Sequence, residues 1–132
     1  MPVVLDTCAW IWLCAEPERL SRAARETVSR ERRRSGLVVS ILSVWEVAKL
    51  VQKGKLAFSI ACRDWIAAAV AIEGLTVHPL TPEICLESTE LPGAFHGYPA
   101  DQIIVATARV LSAAVITSDR RILTYPHVPT VW

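Results

Sequence analysis

The sequence is short of almost everything that would mark a secreted, membrane-bound or zinc-binding protein. Its four cysteines, Cys8, Cys14, Cys62 and Cys85, form no C-x-x-C pair and share no zinc-like spacing with the three histidines. Each lies in an apolar stretch, so all four are expected to be small buried hydrophobes in a reducing compartment. The N-terminus, Met1 to Asp6, has neither the basic region nor the long apolar run of a secretory signal. The longest apolar stretch elsewhere, Trp65 to Ile72, is too short to span a bilayer. A soluble, cytoplasmic chain with no membrane partner is expected. Charge of one sign is lacking too, with 14 basic against 13 acidic residues. That balance carries no general signal for nucleic acid, yet a pocket that gathered several carboxylates would leave a basic surface around it. No repeat, linker or low-complexity tract interrupts the 132 residues, which suit one domain over 1–132.

What is present is an alternation of short apolar runs with helical segments. Val3 to Leu5, Leu37 to Ile41, Leu75 to Leu80 and Ala113 to Thr117 read as strands buried on both faces. Between them fall a short helix at Ala9 to Leu13, a helix from the Ser21 cap through Arg34, and one from Val44 to Lys53 capped by Ser43. Ser59 opens a helix that Gly74 ends, Thr81-Pro82-Glu83 starts another, and Ala100 to Ser112 follows a loop at Leu91 to Tyr98. The tail, with Pro126 and Pro129, has room for a short edge strand. The pattern predicts an α/β fold with a mainly parallel central sheet of four to five strands flanked by helices. Such sheets bind ligands at the carboxyl ends of their strands.

Aspartate is scarce, and its placement is informative. The chain has only Asp6, Asp64, Asp101 and Asp119. Asp6 ends the first strand, Asp119 follows the fourth, and Asp101 lies in the first turn of a helix. Glu46 lies in the first turn of the helix after the second strand. Strand ends and the starts of following helices share one rim of a parallel sheet, so these four carboxylates are expected to converge. Each also has an ordinary explanation. Glu46 completes a Ser43-x-x-Glu46 capping box, Asp101 complements a helix dipole, and Asp119 suits a turn. Asp6, an ionisable group ending a buried strand, is hardest to explain that way. Converging carboxylates repel one another, and a hard divalent cation, Mg²⁺ or Mn²⁺, is the natural neutraliser. One or two such ions at a phosphate suit hydrolysis of a phosphodiester.

Four segments carry a family resemblance: Val4-Leu5-Asp6-Thr7, Ser43-Val44-Trp45-Glu46-Val47-Ala48, Pro99 to Ala108, and Ile116-Thr117-Ser118-Asp119. In their order and spacing, over essentially the whole chain, they resemble a PIN domain, and in size and layout the VapC-type toxin ribonucleases of bacterial toxin–antitoxin pairs. The resemblance implies a PIN-like three-layer fold, Mg²⁺- or Mn²⁺-dependent cleavage of RNA, homodimerisation and inhibition by a cognate antitoxin. It makes Asp6, Glu46, Asp101 and Asp119 the catalytic and metal-binding acids, with Thr7 and Thr117 as supporting hydroxyls. The chain departs from many relatives at Tyr98, where they have another aspartate, and at Gln102, where they have arginine.

Arg120 and Arg121, next to Asp119, are the expected RNA phosphate contacts, ahead of the run Arg30 to Arg34, which suits a solvated helix end. Trp10 and Trp12 differ by two residues and cannot share a helix face, so at least one should be partly exposed, beside a groove fit for an antitoxin peptide. His96 is read as structural. Two other phosphate chemistries are disfavoured. A phospho-receiver wants paired acids after the first strand and a lysine after the last, but no lysine follows Lys55. A dehalogenase-like phosphatase wants Asp-x-Asp, and position 8 is cysteine. The remaining alternative is a catalytically weak or inactive PIN-like protein that binds RNA or a partner.

Overall fold

The computed structural model describes residues 1–132. Strand β1 (Val3–Leu5) leads into α1 (Thr7–Ala15), and a 3-10 turn at Pro17–Arg19 precedes α2 (Arg22–Arg32). Then come β2 (Leu37–Ser40), α3 (Ile41–Gln52), α4 (Cys62–Val70), β3 (Leu75–His78) and α5 (Pro82–Thr89). The chain ends with α6 (Pro99–Val110), β4 (Ala114–Ile116), α7 (Arg120–Leu123) and β5 (Thr130–Val131). The five strands form one sheet in the order β3-β2-β1-β4-β5, every neighbouring pair parallel.

The period-2 alternation of side chains divides the core between the two faces of the sheet. Val3 and Leu5 point to one side, where they pack with Trp10, Val28, Val47 and Trp65 from the helices. Val4, between them, points to the other, against Val38, Ile104, Val105, Val115 and Ile122. β1 is central and its three residues are almost fully buried, which explains its unbroken apolar composition. The chain therefore has the three-layer α/β architecture expected of it.

Several boundaries differ from the expected ones. The α3 cap is Ser40 rather than Ser43: β2 runs directly into the helix, and the Ser40 hydroxyl accepts from the Leu42 N–H at 3.1 Å. Ser43 lies inside the first turn, fully buried, 2.8 Å from the Thr7 hydroxyl. Two serines three residues apart both fit a cap, and packing against α1 decides between them. Glu46 is thereby moved to the second turn of α3, out of any capping box. The fourth helix starts at Cys62, not Ser59, with no side-chain cap at Ala61, and the single turn of α7 was not expected. The cysteines are also less buried than composition suggested: Cys8 and Cys85 are exposed, Cys14 and Cys62 half-buried, and all four are free thiols.

Candidate functional site

The carboxyl-terminal ends of β1, β2 and β4 lie side by side in register, and the helices that follow start from that rim. Asp6 stands directly after β1 and caps α1, its Oδ1 accepting from the Ala9 N–H at 2.8 Å. Glu46 reaches the rim from α3, Asp101 from the first turn of α6, and Asp119 from the cap of α7. All four line one open cleft of about 200 Å³, with Thr7, Cys8, Tyr98, Ser118 and Arg121. The expected convergence of the four acids is what the structure contains.

The four carboxylates are held differently. Asp6 is nearly buried, and desolvation pushes its pKa up to about 6 despite the Thr117 hydroxyl and the Ala9 N–H, which pull it down. Asp101 is also raised, first by burial and then by the charge of Asp119, with His96 and Arg121 opposing. Asp119 is lowered, chiefly by its hydrogen bonds from Arg121. Glu46 is fixed from both sides: the Thr7 hydroxyl donates to Oε1 at 2.5 Å and the Tyr98 hydroxyl donates to Oε2 at 3.0 Å. Burial and the fields of all four acids push the Cys8 thiol up to about 11, so it stays a protonated, unreactive thiol at neutral pH.

Arg121 is the cation at the cleft. Its Nη2 lies 3.1 Å from Asp119 Oδ2 and 3.5 Å from Asp101 Oδ2. Arg120, the other expected contact, is exposed and forms no ion pair. The run Arg30 to Arg34 ends α2 just ahead of β2, at the opposite rim, where the N-terminal ammonium donates to Ser35 Oγ at 2.9 Å. Thr117 is fully buried under the site, and its Oγ1 accepts from the Asp119 N–H at 3.0 Å. Trp10 is buried in the core, Trp12 is partly exposed against Trp132, and Trp45 is exposed on α3.

Three features escaped sequence reasoning. His96, read as structural, sits with Nε2 3.1 Å from Asp101 Oδ2. The two atoms are not aligned as donor and acceptor, and both are buried without a hydrogen bond. Tyr98 was read as the loss of a carboxylate, whereas it supplies a donor to Glu46. Arg121, expected as a phosphate contact, also pairs with Asp119 and Asp101, from a helix too short to be predicted. The one available signal was proximity in sequence, since His96 and Tyr98 immediately precede α6 and Arg121 follows Asp119 by two residues.

No three acidic, histidine or cysteine side chains are placed so as to hold one ion together. The chemistry of the donors nevertheless fits a hard divalent cation. All four are carboxylates, Asp6 is desolvated with its charge uncompensated, and Asp101 Oδ2 is a buried oxygen without a hydrogen bond. Asp6, Glu46, Asp101 and Asp119 are the residues that would hold it.

A parallel α/β sheet with an acidic cleft across its central strand ends defines the class of protein. A PIN domain model matches residues 3–128, and the chain belongs to that family. It is 32% identical to Ribonuclease VapC22 of Mycobacterium tuberculosis over 132 residues, covering 98% of each chain. The fold is similar to VapBC2 from Rickettsia felis bound to a promoter DNA fragment, with a TM-score of 0.74 at 13% identity, covering 98% of this chain and 97% of that one. It is also similar to VapBC-1 from nontypeable Haemophilus influenzae, with a TM-score of 0.71 at 22% identity, covering 98% and 96%. At such identities these two likenesses speak for the fold.

Proposed function

We propose that this chain is a Mg²⁺- or Mn²⁺-dependent endoribonuclease, the toxin of a toxin–antitoxin pair, acting as a single 1–132 domain in the cytoplasm. The observation that carries the reading is the cleft itself, where four carboxylates from four distant segments meet at one rim. The family membership and the similarity to a VapC ribonuclease support it. No helix is long and apolar enough to cross a membrane.

A divalent ion held by Asp6, Glu46, Asp101 and Asp119 would supply charge for the phosphate oxygens and make a nearby water more acidic. The chain's own residues do the rest. Asp6 and Asp101 would hold the ion in their ionised form, the form that binds a cation. Thr7 and Tyr98 lock both oxygens of Glu46, so that this carboxylate needs no reorientation when substrate arrives. Arg121, held by Asp119 at the cleft mouth, is the contact for a phosphate oxygen beside the scissile bond, with Arg120 next to it. An antitoxin is the expected protein partner, because chains of like fold occur in a toxin–antitoxin complex and in the VapBC family of toxin–antitoxin systems. A homodimer would cover some of the apolar surface exposed on α3 at Ile41 and Trp45.

The test is cleavage of single-stranded RNA by the purified chain in Mg²⁺ or Mn²⁺, with EDTA and with Asp6→Asn and Asp101→Asn. Cleavage that survives EDTA or both substitutions would falsify it. A second reading, a PIN protein that binds without cutting, is favoured by Arg121 standing between Asp101 and Asp119 where an ion is wanted. Mn²⁺ titration separates the two, because a chain that binds no ion is the second.

A further inference from the structure

The geometry points to Tyr98 as a nucleobase platform: its ring, fixed at the mouth of the acidic cleft, stacks the base next to the scissile phosphate. The inference rests on the RNA-cleaving reading above and names how that site chooses its substrate. Tyr98 stands at the N-cap position of α6, three residues ahead of Asp101. Its hydroxyl donates to Glu46 Oε2 at 3.0 Å, and its backbone N–H donates to His96 Nδ1 at 3.3 Å. Both ends of the residue are therefore tied, and the ring keeps one orientation. Yet the residue is 48% exposed, so the ring presents an open surface. Every other side chain lining the cleft is charged, hydroxylic or a thiol. The ring is the one broad apolar surface beside the carboxylates.

The division of labour follows from chemistry. Carboxylates and Arg121 deal with the phosphate, and none of them can recognise a base. Sequence-specific RNA recognition works on unstacked bases laid against aromatic side chains. A ring already held in place loses little freedom when a base lands on it. A tyrosine that served only to hold Glu46 would need its hydroxyl alone and no open face.

Two substitutions separate the hydroxyl from the ring. Tyr98→Phe keeps the ring and drops the donor; Tyr98→Leu drops both. Cleavage of short single-stranded oligoribonucleotides gives kcat, KM and base preference around the cut. A phosphorothioate-linked oligoribonucleotide carrying 2-aminopurine beside the cut reports stacking directly, as fluorescence quenching. Tyr98→Phe should retain KM, preference and quenching, and lose only in kcat through a looser Glu46. Tyr98→Leu should raise KM about 5- to 150-fold, flatten the preference at one position and abolish the quenching. If Leu and Phe match in KM and quenching, Tyr98 only holds Glu46 and the platform is refuted. Should Tyr98→Leu melt early, Tyr98→Ser takes its place at this exposed position. If the unaltered chain cuts no RNA, the ribonuclease reading fails, and the quenching alone decides for or against the platform.

Discussion

The two sides of the cleft solve the same electrostatic problem in different ways. Asp6 and Asp101 are desolvated and raised in pKa: no cation pairs with Asp6, and Asp101 Oδ2 is buried without a hydrogen bond although His96 and Arg121 lie beside it. Glu46 and Asp119 are answered from within, one by two hydroxyls and the other by Arg121. The unsatisfied pair marks where an added cation gains most. The satisfied pair is already held in place, so on the proposed reading its part would be to orient and complete the site. Burial costs a carboxylate several kcal/mol unless it is paired, so Asp6, with no cation beside it, is the acid least explained by stability.

Breaking that contrast is the most direct test. Asp6→Asn or Asp101→Asn should reduce RNA cleavage by roughly a thousandfold or more and abolish Mn²⁺ binding in calorimetry. Asp119→Asn should cost visibly less in both, and equal losses for the three would erase the distinction. Next in size is Thr7→Val, which removes the donor to Glu46 Oε1 and leaves Ser43 facing a methyl group. Loss of such a supporting hydrogen bond typically costs 10- to 100-fold, to be read in kcat with RNA binding unchanged.

Asp6 also makes a prediction about stability. Its folded pKa of about 6 lies above the ordinary 3.8, so the native state binds the extra proton between those values. Stability of the metal-free protein should therefore fall as pH rises through that window and stay low above it. Asp6→Asn keeps the α1 cap and removes the penalty, so at pH 7.5 it should melt several degrees higher, on the order of 5 °C. In the same window Mn²⁺ affinity of the unaltered chain should weaken as pH falls below about 6, and a flat profile would show that Asp6 titrates elsewhere. The smallest effect belongs to Arg121→Ala. Removing an exposed competitor for Asp101 and Asp119 should tighten Mn²⁺ about two- to fivefold. It should also weaken RNA and lower the salt slope of binding by about one.

How much of this was legible in the residues depends on what fixes each feature. The strands were readable because continuous apolar runs such as Val3 to Leu5 have few other uses. The four acids were readable because a parallel sheet puts strand ends on one rim whatever the side-chain details. Ser43 was misread because a cap and a buried hydroxyl share one residue type, and only the approach of Thr7 from α1 separates them. Arg121, His96 and Tyr98 act through contacts across segments, which depend on side-chain reach rather than on periodicity. The cysteines were overcounted as core because an apolar neighbourhood in sequence does not say which face of α1 or α5 a thiol occupies.

The sheet order has a consequence in time. Central β1 pairs residues 3–5 with 114–116 of β4, so its second edge stays open until residues 114–116 have been made. Such distant pairing is slow to form. A nascent chain that has just completed β4 still lacks Asp119, the last of the four acids. The cleft therefore matures only once Asp119 has been made, and shorter products carry acids without a site.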